Sequence, residues 1–470
     1  MMKKIFFIFL LCILLCLTLF IPSAFAANDI SVFLNGEKLD FPIQDPTIVN
    51  DRTLVPMRTI FEALGAEVDW IDESKTAIAK RDSTVIFIPI NSQWMQLNEE
   101  KIQLDVPAQL INEKTMVPVR AVSEAFWCKV GWIDELRTVT IYTDVADKTS
   151  NSLSGISIDN SCRYPNFDGK YNAVYVFNNN ENYFGMERIE IEDTQGEDYA
   201  EIVNHIAALL PNVQIYNLLV PTPAEFYAPE NFKTNYLASF QKIYAHLLPK
   251  IIDVNAFTPL NEHLDEKLYF FTDHHWTHRG SYYAYTAFAD AIGQPIDPLS
   301  TFDTANFDGY VGSWAKDGFL GDQNGIMLME ESPDYFERFL PKVAVEGMAY
   351  LDQKMEKPLK PIALINTEIA HYDTFLEGDL PLSVFKTGTK NGKKLAVIKE
   401  SYGNAFTTWA VNHYEKIYVI DYRGFNQENQ ESFSLTEFYE QIHFDDLLVI
   451  SYPISVAGDD ARRAIAWLAK

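Results

Sequence analysis

The sequence predicts an α/β protein, with a main domain on a mainly parallel, doubly wound sheet preceded by a small α+β tandem-repeat domain. Three observations predict it. A ten-residue pattern recurs at a fixed offset of 62 residues early in the chain, a short polar stretch follows, and beyond it apolar strand-like runs alternate with helical ones. At 470 residues the chain is too long for one compact core, and the length favours two or three domains. Hydrophobic residues at 47% and charged residues at 22% are the proportions of a folded globular protein rather than a disordered one. The 14% of aromatics fits either large cores or carbohydrate handling and does not choose between them.

The first segment stands outside the fold. Lys3 and Lys4 precede an almost unbroken apolar run over residues 5–21, and Ala24-Phe25-Ala26 is an A-x-A cleavage signal. Residues 1–26 therefore read as a signal peptide cleaved near Ala26. The rival reading is an uncleaved anchor, because the run approaches the ~18-residue spanning length. Bulky Leu15 before Cys16 does not suit a lipid anchor. The expected location is secreted or cell-envelope associated. The net charge of −27 becomes more negative once both lysines leave, which excludes nucleic acid as a natural partner. It also disfavours adhesion to anionic wall polymers by charge. Cys128 and Cys162 remain after cleavage, in what read as different domains, so no disulfide framework is expected.

The repeat comes next. Val49-Asn50-Asp51-Arg52-Thr53-Leu54-Val55-Pro56-Met57-Arg58 returns as Ile111-Asn112-Glu113-Lys114-Thr115-Met116-Val117-Pro118-Val119-Arg120. At the same offset Trp70-Ile71-Asp72-Glu73 becomes Trp132-Ile133-Asp134-Glu135, with no gap. Each copy reads as strand, turn, strand, short helix, strand, with proline near the first helical turn. Phe61 and Leu64, or Val122 and Phe126, sit at spacings that face one core. This doubled pattern, over residues 28–145, resembles the copper amine oxidase N-terminal-like domain found on exported Gram-positive proteins. The segment has no histidine, so an imidazole-based copper site cannot be assembled in it. A scaffold, or a module for cell-wall contact, is the expectation. Cys128 falls where the first copy has Ala66 and reads as a small core residue. Residues 146–158 are a linker by composition.

The main domain, 159–470, then alternates. Residues 173–177 read as a strand, 199–210 as a helix, 213–220 as a strand, 235–248 as a helix and 268–272 as a short extended run. Later, 394–399 is a strand, 405–413 a helix, 416–422 and 447–451 strands, and 460–469 a helix. Such alternation argues for a parallel sheet with helices on both faces, where chemistry gathers at the carboxyl ends of the strands.

Two places stand out. Thr272-Asp273-His274-His275-Trp276-Thr277 follows an apolar run and precedes a helix starting near Arg279. Its Asp-x-His pair supplies a base and the carboxylate that sets its tautomer and stabilises the imidazolium. In Val397-Ile398-Lys399-Glu400-Ser401-Tyr402-Gly403-Asn404 a buried strand ends in a serine at a helix start, where backbone N–H groups can bind an oxyanion. Both places have plainer readings. A serine after a strand is usually an N-cap. His274 and His278, four apart, suit a metal with His275, yet no second ligand cluster is evident, so neither metal nor cofactor is expected. Trp276 and the tyrosines after it are more often core than sugar platform.

Tyr269-Phe270-Phe271-Thr272-Asp273-His274-His275-Trp276-Thr277, with Gly280-Ser281-Tyr282-Tyr283 after it, resembles the DHHW protein family. That family is related to the alginate O-acetyltransferase proteins and has an SGNH-hydrolase-like fold of permuted order. The segment around Ser401 resembles its serine motif, and Tyr418-Val419-Ile420-Asp421-Tyr422-Arg423 the strand that follows. The resemblance implies Ser401 as nucleophile, His275 as base and Asp273 as its carboxylate, with His274 interposed. Glu400 stands where the family usually has Asp. For the oxyanion it leaves the Ser401 and Tyr402 amides and the Arg423 side chain, with Asn404 and Trp276 as further substrate contacts. The function implied is an O-acyltransferase that acetylates an exported polysaccharide through an acyl-enzyme, fed by a membrane O-acyltransferase as acetyl donor. A carbohydrate esterase with the same triad is one alternative, and a non-catalytic envelope or carbohydrate-binding protein the other. A His275–Ser401 separation within hydrogen-bond reach favours the enzyme readings.

Overall fold

The 62-residue offset reappears in the backbone of the computed structural model. Strands Thr47–Val49 and Arg52–Pro56, helix Met57–Ala63 and strands Glu67–Ile71 and Thr76–Arg81 recur as Gln109–Ile111, Lys114–Pro118, Val119–Glu124, Lys129–Ile133 and Thr138–Tyr142. The closing strand of each copy extends the predicted pattern. Each proline ends its strand and immediately precedes the helix, so the N–H it lacks is not one the helix needs. Arg52–Pro56 and Lys114–Pro118 pair antiparallel at the centre of a four-stranded sheet, with Val55 opposite Val117. Phe61, Leu64, Val122 and Phe126 are all buried, and Phe61 meets Phe126 edge to face at 5.8 Å. Each such side chain contributes roughly 1.5–3 kcal/mol. Cys128 is buried too.

The structure describes residues 30–143, 145, 148, 151–159, 162–316 and 321–470, so the expected signal peptide and part of the expected linker lie outside the described residues. The chain divides into two compact units. The smaller is the chain up to Val32 with Lys38–Phe126 and Arg137–Val139; the larger is Phe33–Glu37, Trp127–Leu136 and Thr140–Lys470. No helix among the described residues is long and apolar enough to cross a membrane.

The larger unit is a mixed α/β structure on an eight-stranded sheet. Its strands are β1 (Gln214–Leu219), β2 (Ile252–Val254), β3 (Val345–Tyr350), β4 (Pro358–Ile362), β5 (Leu382–Thr387), β6 (Lys394–Lys399), β7 (Lys416–Asp421) and β8 (Asp446–Ser451). The order is β2-β1-β8-β6-β7-β5-β3-β4. The first five are mutually parallel, and the last three continue the sheet antiparallel. β6 and β8 are buried along nearly their whole length, as parallel strands covered on both faces must be. Consecutive residues of β1 show that cover. Tyr216 packs against Phe288 of helix α2 (His278–Ala291), while Asn217 donates to the Tyr199 hydroxyl of α1 (Asp193–Leu209) at 2.7 Å. Neighbours in a strand point to opposite faces, so helices lie on both.

The extended run expected at 268–272 stays outside the sheet. Tyr269 makes only an isolated bridge to Trp276, and the chain doubles back through Thr277 N–H to Leu268 C=O at 2.8 Å. The apolar run Leu268-Tyr269-Phe270 is buried as core, and apolarity alone reports burial, not strand pairing. The fold-back puts Asp273 and His274 at the tip of a tight loop. Helix α3 (Tyr402–Ala410) begins three residues earlier than predicted, directly after Ser401.

Candidate active site

Ser401 lies two residues beyond the carboxyl end of β6 and one before α3. It occupies the N-cap position, yet its side chain makes no cap hydrogen bond and its backbone is already helical, at φ −58 and ψ −25. The hydroxyl instead meets His275 Nε2 at 2.8 Å. His275 Nδ1 lies 2.6 Å from Asp273 Oδ1, which also accepts the His275 backbone N–H at 3.0 Å. Ser401, His275 and Asp273 thus form one continuous hydrogen-bonded line.

A third segment cradles the carboxylate. Asp273 Oδ2 accepts from the Tyr310 hydroxyl at 2.6 Å and from Ser313 N–H at 2.8 Å. Gly312 between them passes so close that a Cβ there would lie 2.4 Å from the Asp273 Cβ. Burial alone would raise the Asp273 pKa, but the charge and hydrogen bonds of His275, with the Tyr310 bond, hold it well below the usual carboxylate range. The group therefore stays ionised beside the imidazole. Tyr372 lies over His275 and also escaped the sequence reading.

The three histidines have different partners. His274 packs on His275 and reaches Ser313 Oγ through Nδ1 at 2.8 Å; burial and the neighbouring His275 push its pKa down to about 3, so it is neutral. His278 is fully buried between Thr408 Oγ1 at 2.7 Å and the Phe339 N–H at 3.0 Å, away from the other two in function. The one group among the described residues whose atoms converge enough for a metal is Asp273, His274 and His275, within 4.8 Å. There a cation would compete for the Nδ1 and Oδ1 atoms that join Asp273 to His275.

The weaker candidates are placed differently from one another. The Tyr402 N–H donates to Glu400 Oε2 at 2.8 Å, so its own neighbour occupies the amide expected to face an oxyanion. Glu400 Oε1 accepts from Tyr452 N–H at 3.3 Å, and burial pushes the carboxyl up to about 7. Trp276 is a core wedge rather than a substrate contact: it is fully buried, its indole N–H donates to Tyr402 C=O at 3.1 Å, and its ring stacks near Phe406. Asn404 is fully buried as well, donating to Asp379 at 2.9 Å. Arg423 does line the cleft, but Asp421 holds it through two bonds, at 2.8 and 2.7 Å, and Asp379 through a third contact at 2.8 Å. Behind them Lys399 is buried against Asp421 at 2.8 Å and Asp379 at 3.1 Å. Its stem explains Gly403, where a Cβ would lie 2.4 Å from the Lys399 Cβ.

Ser401, His275 and His274 open onto a cleft of about 1110 Å³ whose outer wall includes His371, Asp373, Asp460 and Arg463. Residues 154–420 match the model of the DHHW protein family, more than half of the chain. The chain belongs to the DHHW family. Residues 33–141 match the copper amine oxidase N-terminal domain. A DHHW family protein from Eubacterium siraeum superposes with a TM-score of 0.57 at 25% identity, covering 65% of this chain and all of that one (100%). Bacillus cereus PatB1, solved with a sulfonyl adduct, superposes with a TM-score of 0.50 at 15% identity, covering 63% of this chain and 99% of that one, a likeness of fold. No curated protein sequence matches the chain.

Proposed function

We propose that this DHHW protein is an extracytoplasmic serine O-acyltransferase that acetylates a polysaccharide, on an SGNH-hydrolase-like doubly wound fold. The observation that carries the proposal is the line from Asp273 Oδ1 through His275 to Ser401 Oγ, with steps of 2.6 and 2.8 Å, at the wall of an open cleft. His275 Nε2 takes the Ser401 proton as Oγ bonds to the acyl carbon of the donor ester, and returns it to the departing alcohol. A sugar hydroxyl then attacks the acyl-enzyme, its proton passes to His275, and the Oγ–acyl bond breaks, restoring the serine. Asp273, held ionised, stabilises the imidazolium in both halves. The Ser401 amide and Arg423 remain the oxyanion candidates that the cleft can present.

The DHHW resemblance supports acetyl as the group and a membrane O-acyltransferase as its donor, and the likeness of residues 33–141 to the copper amine oxidase N-terminal domain supports a Gram-positive envelope as the setting. The sulfonyl adduct on PatB1 is of the kind a nucleophilic serine takes up. The proposed division of the chain is a signal peptide over 1–26, the repeat over 28–145, a linker over 146–158 and the acyltransferase domain over 159–470, with the repeat contacting the wall.

The test is intact-protein mass spectrometry of residues 27–470 after exposure to an activated acetyl ester, beside Ser401→Ala. One acetyl group mapping to Ser401, lost in the variant, supports the proposal, and its transfer to an added glycan separates transferase from esterase. Equal labelling of both proteins would leave a non-catalytic binding protein as the better reading.

A further inference from the structure

His275 is held at its edges by Asp273 and Ser401, and at its faces by two rings. Tyr372 stacks on it with centroids 3.6 Å apart and planes 6° from parallel. His274 lies 3.7 Å away at 37°. Two rings at that distance cannot share one face, so the imidazole is sandwiched. Tyr372 is itself fixed: it is 4% exposed, meets Phe375 edge to face at 5.4 Å and Phe270 at 6.4 Å, and donates its hydroxyl to the Ser401 C=O at 3.2 Å. One side chain therefore touches both partners of the 2.8 Å serine–histidine contact.

We propose that Tyr372 is a positioning residue, whose ring holds the His275 imidazole flat while its hydroxyl anchors the turn that carries Ser401. The proposal rests on the triad reading above. An aromatic face attracts a cation placed over it, so the stack is stronger for imidazolium than for imidazole. The opposite ring does not oppose this, since buried His274 is neutral. Asp273 is the anion in direct contact with His275; Glu400 and Asp379 stand further out around Tyr372, and Asp379 and Arg423 around His274. Removing the ring frees the imidazole to turn about its Cβ and withdraws the cation's face, whereas removing only the hydroxyl leaves both in place.

The experiment follows the rate of Ser401 modification by phenylmethylsulfonyl fluoride, by intact mass, from pH 5 to 9 in the wild type, Tyr372→Phe and Tyr372→Leu, each checked by thermal melting. Tyr372→Leu is expected to react at least about tenfold more slowly at every pH in that range. Tyr372→Phe, which keeps the ring, is expected to recover most of the lost rate. Tyr372→Met replaces the leucine variant if that one fails to fold. A leucine or methionine variant with the wild-type rate overturns the proposal while leaving the triad intact, and a phenylalanine variant as impaired as leucine overturns the role of the ring. A wild-type serine that never reacts removes the triad reading and this proposal together.

Discussion

Gly312 offers the sharpest test of the carboxylate cradle because it has no chemistry of its own. A methyl group there would sit 2.4 Å from the Asp273 Cβ, 2.5 Å from Oδ2 and 2.8 Å from the Thr272 C=O, whereas ordinary contact begins at 3.4 Å. Gly312→Ala must therefore drive Asp273 away by about 1 Å, a displacement that elsewhere costs about 10²-fold in rate. The same shift would open the bonds from Tyr310 and Ser313, now 2.6 and 2.8 Å, and strain the 2.6 Å bond to His275. The backbone at this glycine is not left-handed, so the effect is steric. Overpacking of this kind costs about 1–3 kcal/mol, or a fall of several degrees in Tm. The assay is the rate of acetyl-enzyme formation at a temperature well below the variant's melt. The expected result is a loss near 10²-fold in a folded protein; a rate within about threefold of wild type would refute the idea that the cradle aligns Asp273.

Two further predictions concern buried charge. Glu187 Oε1 is enclosed without a partner, and burial, with Glu400 and Asp273 near it, pushes the carboxyl up to about 8. Because that value is raised, the stability the group contributes is full at acid pH below its ordinary range and lost as pH rises through about 8. Glu187→Gln should thus melt higher than wild type by a margin that widens from pH 5 to 9, and parallel melting curves across that range would count against it. Lys399→Met leaves Asp421 buried with Arg423 as its remaining counter-charge, and should cost about 3 kcal/mol or more in a denaturant titration. An unchanged midpoint would show that Arg423 alone satisfies the carboxylate.

What could be read in the sequence was whatever is local. Asp273, His275 and Ser401 each sit in a short motif whose residue types carry their own chemistry, and the structure places them on one hydrogen-bonded line. The repeat was legible because a fixed offset needs no knowledge of packing. Tyr310 and Ser313 were not, since they reach Asp273 from 37 and 40 residues away, at the end of the short strand Phe307–Tyr310 and in the turn after it. The pairing of Gly312 with Ser313 after a tyrosine was the one local signal, and it is weak. Tyr372 is an isolated tyrosine in a single 3₁₀ turn, and nothing nearby announces its neighbour. Trp276 and Asn404 stand beside the motifs yet are fully buried, because proximity in sequence to a catalytic residue says nothing of which side of the backbone faces water. Residues 268–272 erred in the same direction, since an apolar run shows where a segment is buried and not what it pairs with.

The pairing of Val55 with Val117 makes the two repeat copies interchangeable partners. Leu54 faces Pro118 and Pro56 faces Met116, so the strand of each copy meets the other as it would meet itself turned about a twofold axis. A chain carrying one copy would keep an edge already shaped to accept its own twin from a second molecule. Duplication within one chain closes that edge internally, where a single copy would leave it open in the geometry of an isologous contact.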